Sequence, residues 1–414
     1  MSKTKPYIIS KQLVMEAYQR VKENKGSAGI DQQSIEDFDK DLKGNLYKIW
    51  NRMSSGTYFS PPVKAVPIPN KSGGERILGI PTVSDRIAQT VVKLTFEPSV
   101  ESHFHKDSYG YRPNKSAIDA VGVTRQRCWK YDFVLEFDIK GLFDNIDHEL
   151  LMKAVRKHTD NKWVILHIER WLQAPMQMAD GTLIERTKGT PQGGVCSSVL
   201  SNLFLHYVFD VWMVKHHQGK PWCRYADDGL VHCKTEQEAQ QLLVDLKQRF
   251  EMCGLELHPG KTKIVYCKDA NRQEQYHNTE FTFLGYDFCS RTVRNPRIDD
   301  VFMSFSPAVS KAAAKSMRSQ VRKSGVRKRA DLSLEEIARW YNPILRGWIG
   351  YYGHYNRSAM ESVMRHFNKT LVSWAMRKFE KLKGHKTKAF EFMQKIKSAN
   401  PELFVHWSTG LRFA

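Results

Sequence analysis

The 414-residue chain is 41% hydrophobic and 26% charged, an ordinary globular composition, and it is long enough for two or three domains. No stretch approaches the ~18 uninterrupted apolar residues of a membrane helix, and Met1-Ser2-Lys3-Thr4-Lys5-Pro6 lacks the apolar core of a secretion signal. The sequence therefore reads as cytoplasmic, with no membrane partner. Its formal net charge of +20 is unevenly placed: Ser306–Ala414 holds 22 Lys and Arg against 7 Asp and Glu, a field that suits a polyanion, above all nucleic acid. Seven scattered cysteines without a Cys-x-x-Cys pair argue against a zinc module and a disulfide framework.

In chain order, Leu13, Ala17 and Val21 recur at helical spacing, and the helix ends in the loop Lys25-Gly26-Ser27-Ala28-Gly29. A second helix is predicted over Ile35–Met53. The runs Pro61–Pro69 and Ile77–Pro81, separated by Asn70-Lys71-Ser72-Gly73-Gly74-Glu75-Arg76, predict a hairpin with a basic tip. Thr82–Val100 reads as a helix, and Ser108-Tyr109-Gly110-Tyr111-Arg112-Pro113 as a turn. Phe133–Phe137 is an apolar run ending in the carboxylate of Asp138. Asp144 and Asp147 are weaker candidates for chemistry, and Asp147 suits the N-cap of a helix from His148. Lys188-Gly189-Thr190-Pro191-Gln192-Gly193-Gly194 is a glycine-rich loop entering a helix, whose face Leu200, Leu203, Phe204, Tyr207, Val208 and Val211 keeps a 3.6-residue period.

Trp222–Cys233 places Asp227-Asp228-Gly229 between two β-prone runs. Asp-Gly in that setting is a strong hairpin signal, which puts the pair on a tight turn. Adjacent ionised carboxylates call for a cation such as Mg²⁺, although an ordinary surface turn would account for Asp-Gly alone. A helix follows over Glu236–Cys253. Gly254–Thr262 imitates a P-loop but has five residues between its glycines where the motif has four, and Leu255 and Leu257 read as a short strand. Phe281–Phe288 alternates as one strand. From Pro307 the chain reads as helical throughout, with a helix over Ser333–Tyr355, a packing stripe Met360, Val363, Met364, Phe367, Leu371, Trp374 and Ala375, and basic clusters at Arg322-Lys323 and Arg327-Lys328-Arg329 in a loop.

Strand-terminal Asp138, Pro191-Gln192-Gly193-Gly194 and Tyr225-Ala226-Asp227-Asp228, in that order, resemble the palm of reverse transcriptases, specifically the proteins encoded by bacterial group II introns. Gly26–Asp31 is similar to that family's N-terminal extension, the basic hairpin to its fingers, Phe281–Gly285 to its primer grip, and Ile344–Tyr352 to its thumb and maturase segment. The resemblance implies an α+β, right-hand polymerase: an extension over 1–60, fingers over 61–132, a palm with an antiparallel sheet over 133–305 that includes part of the fingers before 190, and an all-α basic thumb and maturase domain over 306–414. It also implies RNA-directed DNA polymerisation with two Mg²⁺ ions (or Mn²⁺ in their place), held by Asp138 and Asp227 with Asp228 in support and the carbonyl of Ile139 close by. By the same resemblance Lys71 and Arg76 clamp the triphosphate, Phe143 is the gate against a 2′-hydroxyl, Gln192 meets the incoming nucleotide and template, and Lys261 protonates pyrophosphate. Arg112, Arg322, Lys323, Arg327, Lys328 and Arg329 are expected to meet RNA. The implied partners are a structured intron RNA that the protein helps to splice, an RNA template with a DNA primer, dNTPs and a DNA target. Ser198 stands where many members carry proline, and the chain is expected to lack the DNA-binding and endonuclease segments of larger members. Two other readings stay open: a free-standing relative used in DNA repair or phage defence, and a non-enzymatic RNA-binding splicing factor with a vestigial palm.

Overall fold

The computed structural model describes residues 5–69, 74–295 and 300–410. They gather into two units, one formed by residues 1–116, 135–231 and 237–263, the other by 117–134, 232–236 and 264–414. Among the described residues no helix is long and apolar enough to cross a membrane. The expected α+β class holds: antiparallel sheets with helices, then a helical C-terminal region.

The first unit opens with helices Lys11–Glu23, Ile35–Asp39 and Leu42–Ser55, each entered through a side-chain cap from Ser10, Ser34 and Asp41. The single helix expected over 35–53 is thus two, because Asp41 leaves helical geometry to accept from the Gly44 amide at 3.2 Å and restarts the chain as an N-cap. Strands β1 (Val63–Pro69) and β2 (Glu75–Ile80) form the expected antiparallel hairpin, in register from Lys64 opposite Ile80 to Pro69 opposite Glu75. Helix Val83–Glu101 follows. It carries buried Asp85, which accepts from Tyr58, Ser60, Gln89 and Trp171 at 2.8 to 3.1 Å.

Strand β3 (Phe133–Asp138) is buried along nearly its whole length. Beyond it, helix His148–His158 starts at Asp147, whose carboxylate accepts from the Leu150 amide at 2.8 Å, so Asp147 is a cap. The short strands β4 (Met176–Gln177) and β5 (Leu183–Ile184) extend the β1–β2 sheet through β4. Strands β6 (Trp222–Tyr225) and β7 (Asp228–Cys233) are antiparallel, and β7 lies between β6 and β3.

The helix after the glycine-rich loop departs from its expected period. Ser197–Leu205 is α-helical, His206–Asp210 widens to a π turn, and Val211–His216 resumes the α-helix. Arg249 donates to the carbonyls of Tyr207 and Val208 at 3.1 and 3.0 Å, and the extra residue carries Asp210 into the interior. There it meets fully buried Arg224 in a two-point ion pair, Nε to Oδ1 at 2.8 Å and Nη2 to Oδ2 at 2.7 Å. Burial pushes Asp210 up, but the guanidinium beside it prevails and holds the carboxyl below its ordinary value.

In the second unit, helix Ala117–Cys128 and strand β8 (Lys263–Tyr266) accompany a ladder of β9 (Glu280–Phe283), β10 (Tyr286–Asn295) and β11 (Asp300–Val309). The one strand expected over 281–288 is a hairpin. Leu284 and Gly285 take φ of 50° and 80°, and a Cβ on Gly285 would stand 3.0 Å from the Tyr352 ring. Pro307 belongs to β11, opposite Phe288, so the helices begin only at Lys311: Lys311–Lys323, Leu334–Tyr352, Glu361–Lys378 and Lys386–Ala399. Ser333 and Glu336 form a capping box, and the stripe from Met360 to Ala375 lies in the core.

Removing one partner of a buried ion pair strands the other charge, at a cost of about 3–5 kcal/mol. Asp210→Ala is expected to lower the unfolding free energy, read from urea denaturation of the whole chain, by that order. Asp210→Leu combined with Arg224→Met should recover most of the loss; a double variant as unstable as the single one would contradict this account.

Candidate active site

The two-residue turn between β6 and β7 is Ala226-Asp227, with Tyr225 opposite Asp228 in register. The Asp-Gly signal located the hairpin but not its turn. The left-handed backbone falls on Ala226, φ 56°, a strained choice of the kind that gathers at functional sites. Gly229 pairs within the strand opposite Arg224, and a Cβ there would lie 2.1 Å from the Phe137 ring. That glycine is therefore a packing requirement of the β7–β3 neighbourhood. The turn is held from outside as well. Arg224 donates to the Ala226 carbonyl at 3.1 Å, and Tyr109 donates to the Arg224 carbonyl at 2.8 Å. A Cβ on Gly110 would lie 2.4 Å from the Ala226 nitrogen, so residues 109–111 run hard against the turn.

The three predicted carboxylates come together. Asp138 ends β3 with little exposure, and its charge raises both Asp227 and Asp228. Asp228 is pushed up to about 7, first by burial and then by Asp227 and Asp138. Asp227 is raised chiefly by burial, and Lys261 and Arg224 oppose that rise. Lys261 joins the group as expected: its Nζ lies 2.5 Å from Asp138 Oδ2, and that bond is the main reason its own pKa is raised. It is delivered by the 255–262 segment. Leu257 bridges to Ile139, the His258 amide donates to the Asp138 carbonyl at 2.8 Å, and the chain then turns back on His258. Ile139 itself is buried.

The glycine-rich loop is fastened on several sides. The Thr190 amide donates to Phe143 O at 2.6 Å, the Gly189 amide to Ile146 O at 2.7 Å, and the Gly79 amide of β2 to Gln192 O at 2.8 Å. A Cβ on Gly189 would stand 2.6 Å from Phe143 O, and one on Gly193 2.6 Å from Gly79 O. Gln89, bound to Asp85, accepts from the Val195 and Cys196 amides at 2.7 and 3.3 Å. The loop thus brings Gln192 beside the Phe143–Asp144 turn, where its Nε2 reaches Asp144 Oδ2 at 3.5 Å. Burial raises Asp144, with Arg186, Gln192 and Lys188 opposing.

Arg76 is exposed on β2, while Lys71 lies outside the described residues. Tyr111, expected only as a turn residue, faces the site: burial raises its hydroxyl, Asp227 adds to the rise, and Arg76 opposes it. Its only advance signal was the aromatic run itself. Arg112 corrects an expectation. Its guanidinium turns inward to Glu101 at 2.7 Å and to the carbonyls of His105 and Ser108 at 2.6 and 2.7 Å, so its donors are spent on the fold and not offered to RNA. Arg322, Lys323, Arg327, Lys328 and Arg329 are exposed at the end of helix Lys311–Lys323 and in the turn after it; Arg329 pairs with Asp331 at 2.7 Å.

The cluster fits a divalent cation in one particular sense. Its carboxylates are largely buried and mutually repelling, and a cation, Lys261, already sits against Asp138. Among the described residues no group of three or more His, Cys, Asp or Glu side chains is placed to hold a metal ion by itself. An open pair of carboxylates that leaves positions for phosphate and water is how Mg²⁺ is ordinarily held.

The family model for reverse transcriptase (RNA-dependent DNA polymerase) matches residues 68–288. The chain belongs to the reverse transcriptase family. Its class as an RNA-directed DNA polymerase, and the polymerase fold of the matched residues, come with that membership; the helical C-terminal region is given by the helices from Lys311 on. The model for the group II intron maturase-specific domain matches residues 314–390. Protein YkfC of Escherichia coli (strain K12) is 30% identical over 288 residues, 59% of this chain and 71% of that protein. Group II intron-encoded protein LtrA of Lactococcus lactis subsp. cremoris is 31% identical over 203 residues, 48% of this chain and 33% of LtrA, so the chain spans a third of that relative. Among solved structures, apo telomerase from Candida tropicalis, truncated from its C-terminal domain, aligns at 15% identity with a TM-score of 0.44, covering 62% of this chain and 60% of that one.

Because Asp228 titrates near 7 when folded and near 3.8 when free, the folded chain keeps a proton there between about pH 4 and 7 that the unfolded chain has released. Stability then falls as pH rises through that window. In metal-free buffer Asp228→Asn should raise the urea midpoint at pH 8 and change it little near pH 4. An equal gain at both values would show that Asp228 is not held up by its surroundings.

Proposed function

We propose that the chain copies RNA into DNA at the Asp138–Asp227–Asp228 cluster, and that it binds a structured group II intron RNA and assists its splicing and mobility in a bacterial cytoplasm. The observation that carries the catalytic half is the convergence of strand-end Asp138, the Ala226-Asp227 turn and Lys261 on one place. The match of residues 314–390 to a maturase-specific domain supports the splicing half, together with the exposed cations from Arg322 to Arg329.

Two Mg²⁺ ions, when bound there, would activate the primer 3′-hydroxyl and neutralise the departing pyrophosphate. Asp138 and Asp227 would hold them, and Asp228 would support the pair. Lys261, hydrogen-bonded to Asp138 at 2.5 Å, would give a proton to the leaving pyrophosphate oxygen. Arg76 brings positive charge to the triphosphate, with Lys71 proposed as its companion. Gln192 and the packed loop about it fix the nucleotide against the template. Phe143, at the turn that the Thr190 amide fastens, presses on the sugar where a 2′-hydroxyl would be, and the Ile139 carbonyl lies next in the chain to a metal ligand.

On an RNA template with a DNA primer, Asp227→Ala is expected to abolish extension with Mg²⁺, a loss of at least ~10³-fold given what charge stabilisation supplies at such sites, while RNA binding survives. Persisting polymerisation would remove the catalytic assignment. Phe143→Ala should raise ribonucleotide incorporation relative to deoxyribonucleotide; an unchanged ratio would remove the gate.

A further inference from the structure

The C-terminal helices of the second unit hold a second place with the chemistry of a binding site. Helices Glu361–Lys378 and Lys386–Ala399 line a cavity of about 640 Å³, within the usual range of small-ligand sites, about 300–1,000 Å³. Its lining is apolar in part, from Val372, Met376 and Phe390, and cationic in part, from Arg365, Lys369 and Lys386; Arg365 is also paired with Glu361 at 2.8 Å. The spacing explains how the helix serves two purposes. Val363, Phe367, Leu371, Val372 and Trp374 belong to the core, with Met376 packed against it, whereas Arg365, Lys369, Val372 and Met376, spaced by four, three and four, run along the edge of that face. Lys386 and Phe390, four apart, repeat the pairing of cation and apolar group from the other helix.

The cationic lining continues into the basic cluster. Arg318 donates to Ser362 Oγ at 3.3 Å. His366 is held below its ordinary value by burial, then by Arg322, Arg318 and Lys369, which marks those three cations as its neighbours from both helices. The line of positive charge therefore leads from helix Lys311–Lys323 to the cavity. A bare anion needs no apolar lining, and an apolar ligand gains nothing from cations beside it. A nucleotide combines a flat, stackable base with a phosphate on either side.

We infer that this cavity takes one unstacked nucleotide of the bound RNA, its base on Phe390 and Met376 and its flanking phosphates on Lys369 and Lys386. The inference rests on the RNA-binding reading above and names the structural feature of the RNA that is read. The test uses the full chain and three labelled RNA hairpins of one sequence: fully paired, with a single-nucleotide bulge, and with the same bulge made abasic, all titrated at one fixed salt concentration. The bulged hairpin is expected to bind roughly tenfold more tightly than the paired one, the scale of one base–aromatic contact. The abasic bulge and Phe390→Ala should each remove that preference, and together remove no more than either alone. Equal binding of bulged and paired hairpins by the unaltered chain overturns the inference while leaving RNA binding intact. So does a preference that survives Phe390→Ala. The abasic arm leaves the protein unchanged, so a poorly folded variant cannot decide the matter. Failure to bind any of the hairpins would overturn the RNA-binding reading and this inference with it.

Discussion

Bringing Asp227 and Asp228 up to Asp138 in a largely buried place costs free energy, because burial raises both residues, the charge of Asp138 raises each of them, and that of Asp227 raises Asp228 further. A protein keeps such a group only if other charges answer it and the backbone cannot relax away. Lys261 answers from one side at 2.5 Å. Arg224 answers from beneath, and it does so while locked to Asp210, Asn202 and Ser108. A guanidinium so constrained cannot swing out to collapse onto Asp227, so it steadies the turn from within the core. The π turn at His206–Asp210 has its purpose here: a regular helix would carry Asp210 round its axis and leave Arg224 buried without a counter-charge, which is far costlier than one irregular turn.

The same economy governs the glycine-rich loop. Gly189 and Gly193 stand where a side chain would strike backbone of the Phe143–Asp144 turn and of β2, so the loop is clamped between two elements by main-chain hydrogen bonds. Asp85 and Gln89 extend the clamp: a buried carboxylate with four side-chain donors orients an amide, and that amide caps the helix start at Val195 and Cys196. In the proposed reading, placing Gln192 on a loop fixed in this way lowers the ordering cost of meeting a substrate.

What could be read in the sequence follows from where its information is local. The strand ending at Asp138, the cap at Asp147, the β1–β2 hairpin and the helical stripe after Met360 are set by period and capping, and they stand in the structure as read. The carboxylate cluster was legible through ordered motifs and a family resemblance. Departures arise where a distant partner decides. Gly229 looks like a turn residue because nothing nearby reveals the Phe137 ring that excludes its Cβ. Phe281–Phe288 alternates like one strand, since Leu284 is no turn signal and only Gly285 hints at the reversal. The Arg224–Asp210 pair and the Asp85 network join residues far apart in the chain, and no window over the sequence contains both ends. Ile35–Met53 broke at Asp41 because capping outweighed hydrophobic period there.

Arg112 and Arg322 show why charge counts need a structure. Both stand in stretches that carry other cations, yet Arg112 is consumed by Glu101 and two carbonyls, as Arg170, Arg224 and Arg249 are consumed by carbonyls or acids in the same unit. These arginines fasten chain to chain and contribute little field outside. Arg322, Lys323, Arg327 and Lys328 are exposed, so the C-terminal surplus acts on solvent with its charge undiminished. For a polyanion the difference is decisive, because affinity grows with each phosphate whose counterion is released. A nearly balanced catalytic unit can then let its product move on, while the basic helices supply the grip: in the proposed reading, retention belongs to the C-terminal helices and chemistry to the three carboxylates.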